Sequence, residues 1–159
     1  MASSTTKKAL IRRYDRETLA GYVNPLSFIQ PEGVELLSDQ ANVTVVPFSE
    51  IRSLAFVREF ETSPTTERVV FQTRPKTPGL WVSLRLRDGE LLEGILPNNL
   101  LLLESTGFTV IPPDPFGNLQ RLWVPRASLL SVEVLGVVGS PLRKRKSKDS
   151  KDQIGLFEE

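Results

Sequence analysis

Cysteine and histidine are both absent from this 159-residue chain, and methionine occurs once. Without cysteine there can be no disulfide, no thiolate nucleophile and no cysteine-rich zinc site. Without histidine there is no serine–histidine or cysteine–histidine machinery. No run of about 18 or more apolar residues occurs, which excludes a membrane-spanning helix. The opening Met1-Ala2-Ser3-Ser4-Thr5-Thr6-Lys7-Lys8 has no apolar signal-peptide core. Neither glycine-rich phosphate-binding pattern, G-x-x-x-x-G-K or G-x-G-x-x-G, is present. These absences describe a protein of a reducing cytoplasm, and no cofactor or metal is implied. What is there suffices for a packed core: 40% apolar residues, 8% aromatics and 25% charged residues. The length fits one ordinary domain or two very small ones.

A net charge of +1 is unevenly distributed. Residues 1–142 hold 14 Lys/Arg and 15 Asp/Glu, whereas residues 143–159 hold six basic and four acidic residues. The body therefore lacks the basic excess of a strong nucleic-acid binder, and the tail has it locally at Arg143, Lys144, Arg145 and Lys146. Residues 143–153 contain no apolar side chain, so disorder is expected from Pro141 onward.

The chain also repeats itself. Ile11-Arg12-Arg13-Tyr14-Asp15-Arg16-Glu17-Thr18-Leu19-Ala20-Gly21 aligns with Leu84-Arg85-Leu86-Arg87-Asp88-Gly89-Glu90-Leu91-Leu92-Glu93-Gly94 at an offset of 73. Gly33-Val34-Glu35-Leu36-Leu37 aligns with Gly107-Phe108-Thr109-Val110-Ile111 at 74. Val46-Pro47 with Ile51, Ser53 and Leu54 aligns with Val124-Pro125 with Leu129, Ser131 and Val132 at 78. The offset grows most across the Pro112-Pro113-Asp114-Pro115-Phe116-Gly117-Asn118 stretch, which reads as a lengthened turn. Three blocks in one order, with gaps at turn chemistry, point to duplication.

Each copy reads as β-structure. Val82, Leu84 and Leu86 alternate with Ser83, Arg85 and Arg87, the period of a half-buried strand. Asp88-Gly89 predicts a type I′ hairpin turn, and Asp15-Arg16 a looser one. Gly21 and Gly94 fall inside the second strand of each copy and mark a sharp bend. Two strands follow in each copy, at 34–37 and 43–46 and at 108–111 and 121–124. After Val-Pro comes a single 3₁₀ twist and a closing strand, at 53–57 or 131–135. Five short strands in about 50 residues describe a small bent antiparallel barrel. The expectation is an all-β protein of two tandem five-stranded barrels packed together, at 8–60 and 80–140. A connecting segment at 61–79 carries a short strand at 69–71, expected to pair with 54–57, and a disordered tail spans 141–159.

This order of strand, Asp-Gly hairpin, glycine-bent strand, two strands, short turn and closing strand resembles the Sm-like small barrels. Arg85-Leu86-Arg87-Asp88-Gly89 with Gly94, and Val124-Pro125 with Leu129, Ser131 and Val132, stand where that family keeps its two motifs. The resemblance implies a small-barrel fold and stops short of RNA binding. RNA-binding members carry an Asp-x-x-Asn pair after the second strand and Arg-Gly or Lys-Gly before the last. Here those places read Asn24-Pro25-Leu26-Ser27 and Asn98-Asn99-Leu100-Leu101, then Pro47-Phe48 and Pro125-Arg126.

Several constellations have a plain structural reading. Asp15/Glu17 and Asp88/Glu90 straddle hairpin turns, where Asp serves the backbone, and this outweighs acid–base work. Arg12-x-x-x-Arg16 matches half of the PilZ cyclic di-GMP signature, whose second half is missing. Trp81 and Trp123 sit in strand patterns and read as core or interface. Leu100-Leu101-Leu102-Leu103 is a run that one face of a strand cannot bury, so it belongs under the first copy or in a dimer contact.

After the basic stretch comes Gln153-Ile154-Gly155-Leu156-Phe157-Glu158-Glu159. This resembles the short peptide by which bacterial proteins dock on the replicative sliding clamp, Gln-Leu-(Ser/Asp)-Leu-Phe, with Ile and Gly as departures. The resemblance implies that Gln153 hydrogen-bonds at the pocket rim, Ile154 fills a small subsite, and Leu156 and Phe157 are the buried anchors. The other reading is that Ile154, Leu156 and Phe157 fold back as a cap on the barrel. The functional expectation is a non-enzymatic adaptor or binding module with a protein partner at its tail and weak DNA contact through Arg143, Lys144, Arg145 and Lys146, able to form a homo-oligomer. The alternative is a ligand-sensing barrel that binds a nucleotide such as cyclic di-GMP through Arg12, Arg13 and Arg16.

Overall fold

The computed structural model describes residues 5–15, 17–60 and 69–139. Arg16 and all of the tail residues from Arg143 to Phe157 singled out above lie outside them. The described residues hold ten strands and no α-helix. The strands are β1 (Lys7–Arg13), β2 (Thr18–Val23), β3 (Gly33–Leu37), β4 (Val43–Pro47), β5 (Ile51–Val57), β6 (Gly79–Leu86), β7 (Leu91–Leu96), β8 (Gly107–Val110), β9 (Leu119–Pro125) and β10 (Leu129–Val138). Single 3₁₀ turns occupy Phe48–Glu50, Leu100–Leu102 and Arg126–Ser128. The all-β expectation holds, as do the places of the ten strands.

All pairing is antiparallel. One sheet has the order β4-β3-β2-β1-β5-β9-β8 and the other β10-β6-β7. A bridge between Ile95 and Ile111, with both N–H···O bonds at 2.9 Å, links β7 to the end of β8. The sequence offsets reappear as strand register. Ile11 opposes Leu54 as Leu84 opposes Val132, and Arg12 opposes Ser53 as Arg85 opposes Ser131. Ala9 faces Gly21 as Val82 faces Gly94, and Tyr22 faces Leu37 as Ile95 faces Ile111. Even a bulge recurs: Arg52 is the extra residue of β5 against β1, and Leu130 the extra residue of β10 against β6. The glycine bends have a steric cause. A Cβ on Gly21 would lie 2.7 Å from the Leu37 carbonyl oxygen, and one on Gly94 would lie 2.6 Å from Cβ of Val110. A side chain there would hold the second strand of each set away from the third.

Three expectations are corrected. Residues 69–71 do not pair with β5, whose two edges are taken by β1 and β9. They lie instead against β7, where Glu93 N–H donates to the Val69 carbonyl at 2.7 Å. The Asp88-Gly89 turn is not type I′: Gly89 is at φ +90° and Asp88 is not at positive φ. Leu86 N–H donates to Glu90 O and Gly89 N–H to Leu86 O, a three-residue loop closed by a glycine bulge. Of the two readings of the 100–103 run, cover by the first five strands is not seen: residues 100–102 form a 3₁₀ turn with Leu100, Leu101 and Leu102 exposed.

The core has two clusters, and the central strands serve both. Leu54 and Phe56 of β5, Ala9 and Ile11 of β1 and Trp123 of β9 enter one cluster, with Val34, Val46 and Phe28. The alternate residues Ala55, Val57, Leu10, Leu122 and Val124 enter the other, with Val82, Leu84 and Leu92. A strand buried on both faces shows no polar alternation, which accounts for the apolar run Leu54-Ala55-Phe56-Val57. Trp123 is fully buried although it comes from β9, and it packs edge-on to Phe28 at 5.5 Å and near Phe48 at 6.1 Å. Trp123→Ala is expected to cost about 3–5 kcal/mol. Urea denaturation followed by circular dichroism checks this, and a variant with the native midpoint would contradict the role given to the ring.

Candidate functional site

The charged residues of the hairpin turns meet at the junction of the first and second sets of strands. Arg52 occupies the β5 bulge, and a bulge re-aims the side chain that it carries. Its Nε donates to Asp88 Oδ2 at 2.8 Å, and Nη2 donates to Glu90 Oε2. Asp88 Oδ1 also accepts from Glu90 N–H at 3.1 Å, as Asp15 Oδ1 accepts from Glu17 N–H at 2.9 Å. The hydrogen bond from Arg52 holds the Asp88 carboxyl below its ordinary pKa, with desolvation opposing it. Arg13 is clasped by Asp15, Glu17 and Glu50 at 3.3–3.7 Å. The Arg87 guanidinium lies 3.9 Å from the Tyr14 ring centroid and donates to Ser49 O at 2.9 Å. Tyr14 hydroxyl bonds Ser128 Oγ, which in turn donates to the Arg52 carbonyl at 3.0 Å. Each acidic pair is thus engaged by an arginine and by turn backbone. The Asp88 carboxyl, with its pKa lowered, lacks the raised value that a general acid requires.

Two arginines of the nucleotide-sensing alternative, Arg12 and Arg13, are among the described residues. Arg13 meets Glu17 and Glu50, while Arg12 lines a cavity of about 40 Å³ with Arg52, Glu90 and Glu93. Trp81 is no open stacking platform. It is half-buried, its Nε1 donates to Glu93 Oε1 at 2.9 Å, and Phe71 meets its ring edge-on. Among the described residues no group of three or more acidic side chains is placed to hold a metal ion. No helix among them is long and apolar enough to cross a membrane.

The roomier hollows lie elsewhere. One of about 360 Å³ is lined by Ile95, Leu102, Leu103, Phe108, Ile111 and Arg121, among others. A second of about 350 Å³ is lined by Pro25, Leu26, Phe28 and Ile29 with Ser105 and Thr106. Glu104 lines both. Two matching turns stand beside them. Asn24 Oδ1 accepts from Leu26 N–H at 3.0 Å, and Asn99 Oδ1 accepts from Leu101 N–H at 3.1 Å. Each asparagine side chain stabilises a tight turn that leaves its leucine in solvent, and Leu26 and Leu101 are each 93% exposed. The run at 100–103 drew notice from sequence, but Leu26 did not. The signal for it was the pairing of Asn24-Pro25-Leu26 with Asn99-Leu100-Leu101.

The described residues form an all-β protein of two antiparallel sheets, with exposed leucines at 26 and 100–102. The chain belongs to a family of unknown function, DUF6982, whose profile matches residues 5–136. No curated protein and no solved structure matches it.

The Asp88–Arg52 bond makes a pH prediction. A folded-state pKa lowered by Arg52 contributes stability above the ordinary carboxylate range, and that contribution is lost as pH falls through the lowered value. Arg52→Gln should return the Asp88 titration toward its ordinary value and narrow the acid-dependent loss of stability. NMR titration of the Asp88 carboxyl carbon measures this, and an unchanged midpoint in the variant would contradict the assignment.

Proposed function

We propose that this chain is a non-enzymatic adaptor of the bacterial cytoplasm. Its body is read as two Sm-like small barrels, 8–60 and 80–140, joined through 61–79, and its tail as a docking peptide. Support for the duplicated body comes from the strand register. Five strands in the order β4-β3-β2-β1-β5 have counterparts in β9-β8-β7-β6-β10, with the glycine bends and the bulge at equivalent positions.

The observation that carries the adaptor reading is the division of the surface. Arg52 holds Asp88 and Glu90 across the two sets of strands, while Leu26, Leu100 and Leu101 stand in solvent beside two hollows. These leucines present apolar surface suited to a protein partner. The tail supplies a specific partner. Gln153 meets the rim of a pocket on the replicative sliding clamp, Ile154 fills a subsite, and Leu156 and Phe157 are the anchors. Arg143, Lys144, Arg145 and Lys146 precede that peptide and reach the phosphates of DNA beside the clamp.

A peptide of residues 153–159 is expected to bind purified sliding clamp with micromolar affinity in calorimetry. Leu156→Ala combined with Phe157→Ala should abolish binding, because aromatic and aliphatic anchors carry most of the energy of such peptides. Equal binding by the substituted peptide would overturn the reading.

A further inference from the structure

The two ends of the strand order are unpaired. Among the described residues β4 has only β3 as a strand neighbour, and β10 has only β6. Each end strand therefore offers a row of backbone N–H and C=O groups to another strand. Further along β10, Arg74 Nη2 donates to the Val137 carbonyl.

A joint of matching geometry already exists inside the chain. β5 pairs with β9 antiparallel, with Leu54 opposite Trp123, Ala55 opposite Leu122 and Phe56 opposite Arg121. At the offset of 78 the β5 residues correspond to Val132, Glu133 and Val134 of β10, and the β9 residues to Val45, Thr44 and Val43 of β4. The end strands thus carry the two halves of that joint on opposite sides of the molecule. Apolar character is kept at the Leu54–Trp123 pair, while buried Ala55 and Leu122 correspond to Glu133 and Thr44. Leu54 and Trp123 are fully buried, and their counterparts Val132 and Val45 are both valines. Phe56 is 8% exposed, whereas its counterpart Val134 is 58% exposed, as is Val43. Native edge strands are usually protected by lysine, inward charge or proline. β4 reads Val43-Thr44-Val45-Val46 and has its proline only at the far end, Pro47.

We propose that copies of this chain associate head to tail, β10 of one chain adding to β4 of the next in the register of the internal β5–β9 joint. Val132 then opposes Val45, Glu133 opposes Thr44, and Val134 opposes Val43. Because the two contacting surfaces differ, each added chain exposes a fresh copy of the same edge, and the assembly either closes into a ring or grows. The proposal stands on strand register and holds whether or not residues 153–157 dock on a clamp.

Sedimentation equilibrium of the full-length chain is expected to give a multiple of 17.8 kDa. Val45→Lys alone, or Val134→Glu alone, should return it to the monomer mass, since each puts an unpaired charge where the internal joint buries Trp123 or Phe56. The chain carrying both substitutions sets opposite charges diagonally across the joint and should recover the multimer. Both positions are exposed, circular dichroism confirms folding, and either single variant suffices if the other fails to fold. A monomeric native chain would overturn the proposal and mean that each edge is covered within one molecule. Multimers unaffected by either substitution would equally overturn it and place the contact elsewhere, and failure of the double variant to recover would overturn the register.

Discussion

The antiparallel joint of β5 with β9 is the constraint on which the rest of the molecule depends. It joins a strand of the first set to one of the second, so that β1, β5 and β9 lie side by side with apolar residues on both faces. Alternate residues of these strands then feed two separate clusters. Trp123 fixes the arrangement. It enters from β9 and fills the cluster built from β1 to β5, where Phe28, Phe48 and Phe56 surround it. A set of five short strands buries too little surface to be stable alone, and a shared ring supplies contact that neither set has by itself.

From that joint follows the arrangement of charge. With β5 central, its bulge brings Arg52 within reach of the β6–β7 loop, where it meets Asp88 and Glu90. The equivalent bulge of β10 carries Leu130, which is exposed because β10 is an end strand. One backbone irregularity thus serves two ends: at the centre it aims a cation across the molecule, and at the edge it turns a leucine to water. Tyr14, Arg87 and Ser128 add a second set of bonds across the same junction. The acidic pairs of both hairpins are in this way parts of the scaffold, and Leu26 and the 100–102 turn lie exposed outside it.

Much of the fold was legible because its signals are local. Alternation at 82–87, glycine at 21 and 94, and the Val-Pro pairs at 46–47 and 124–125 each report on a few neighbouring residues, and each lies in the expected element. The candidate surface was less so. The run at 100–103 called for cover by its apolar content alone, but the Asn99 side chain caps a 3₁₀ turn and holds Leu100, Leu101 and Leu102 in solvent. Leu26 went unnoticed because a lone leucine after Asn-Pro has no periodicity. The short stretch at 69–71 looked like any other strand, and nothing local distinguishes β5 from β7 as its neighbour.

Residue order alone determined the all-β class, the places of the ten strands, and the glycine at which each set must bend, since alternation and turn chemistry act within a few residues. Only the tertiary structure decided which strands became neighbours across the two sets, which cluster Trp123 completes, and which carboxylates Arg52 would face. A strand's period tells which side chains share a face, but the partner for that face is chosen by packing over the whole chain. Strands buried on both faces, as β5 and β9 are, erase even the period.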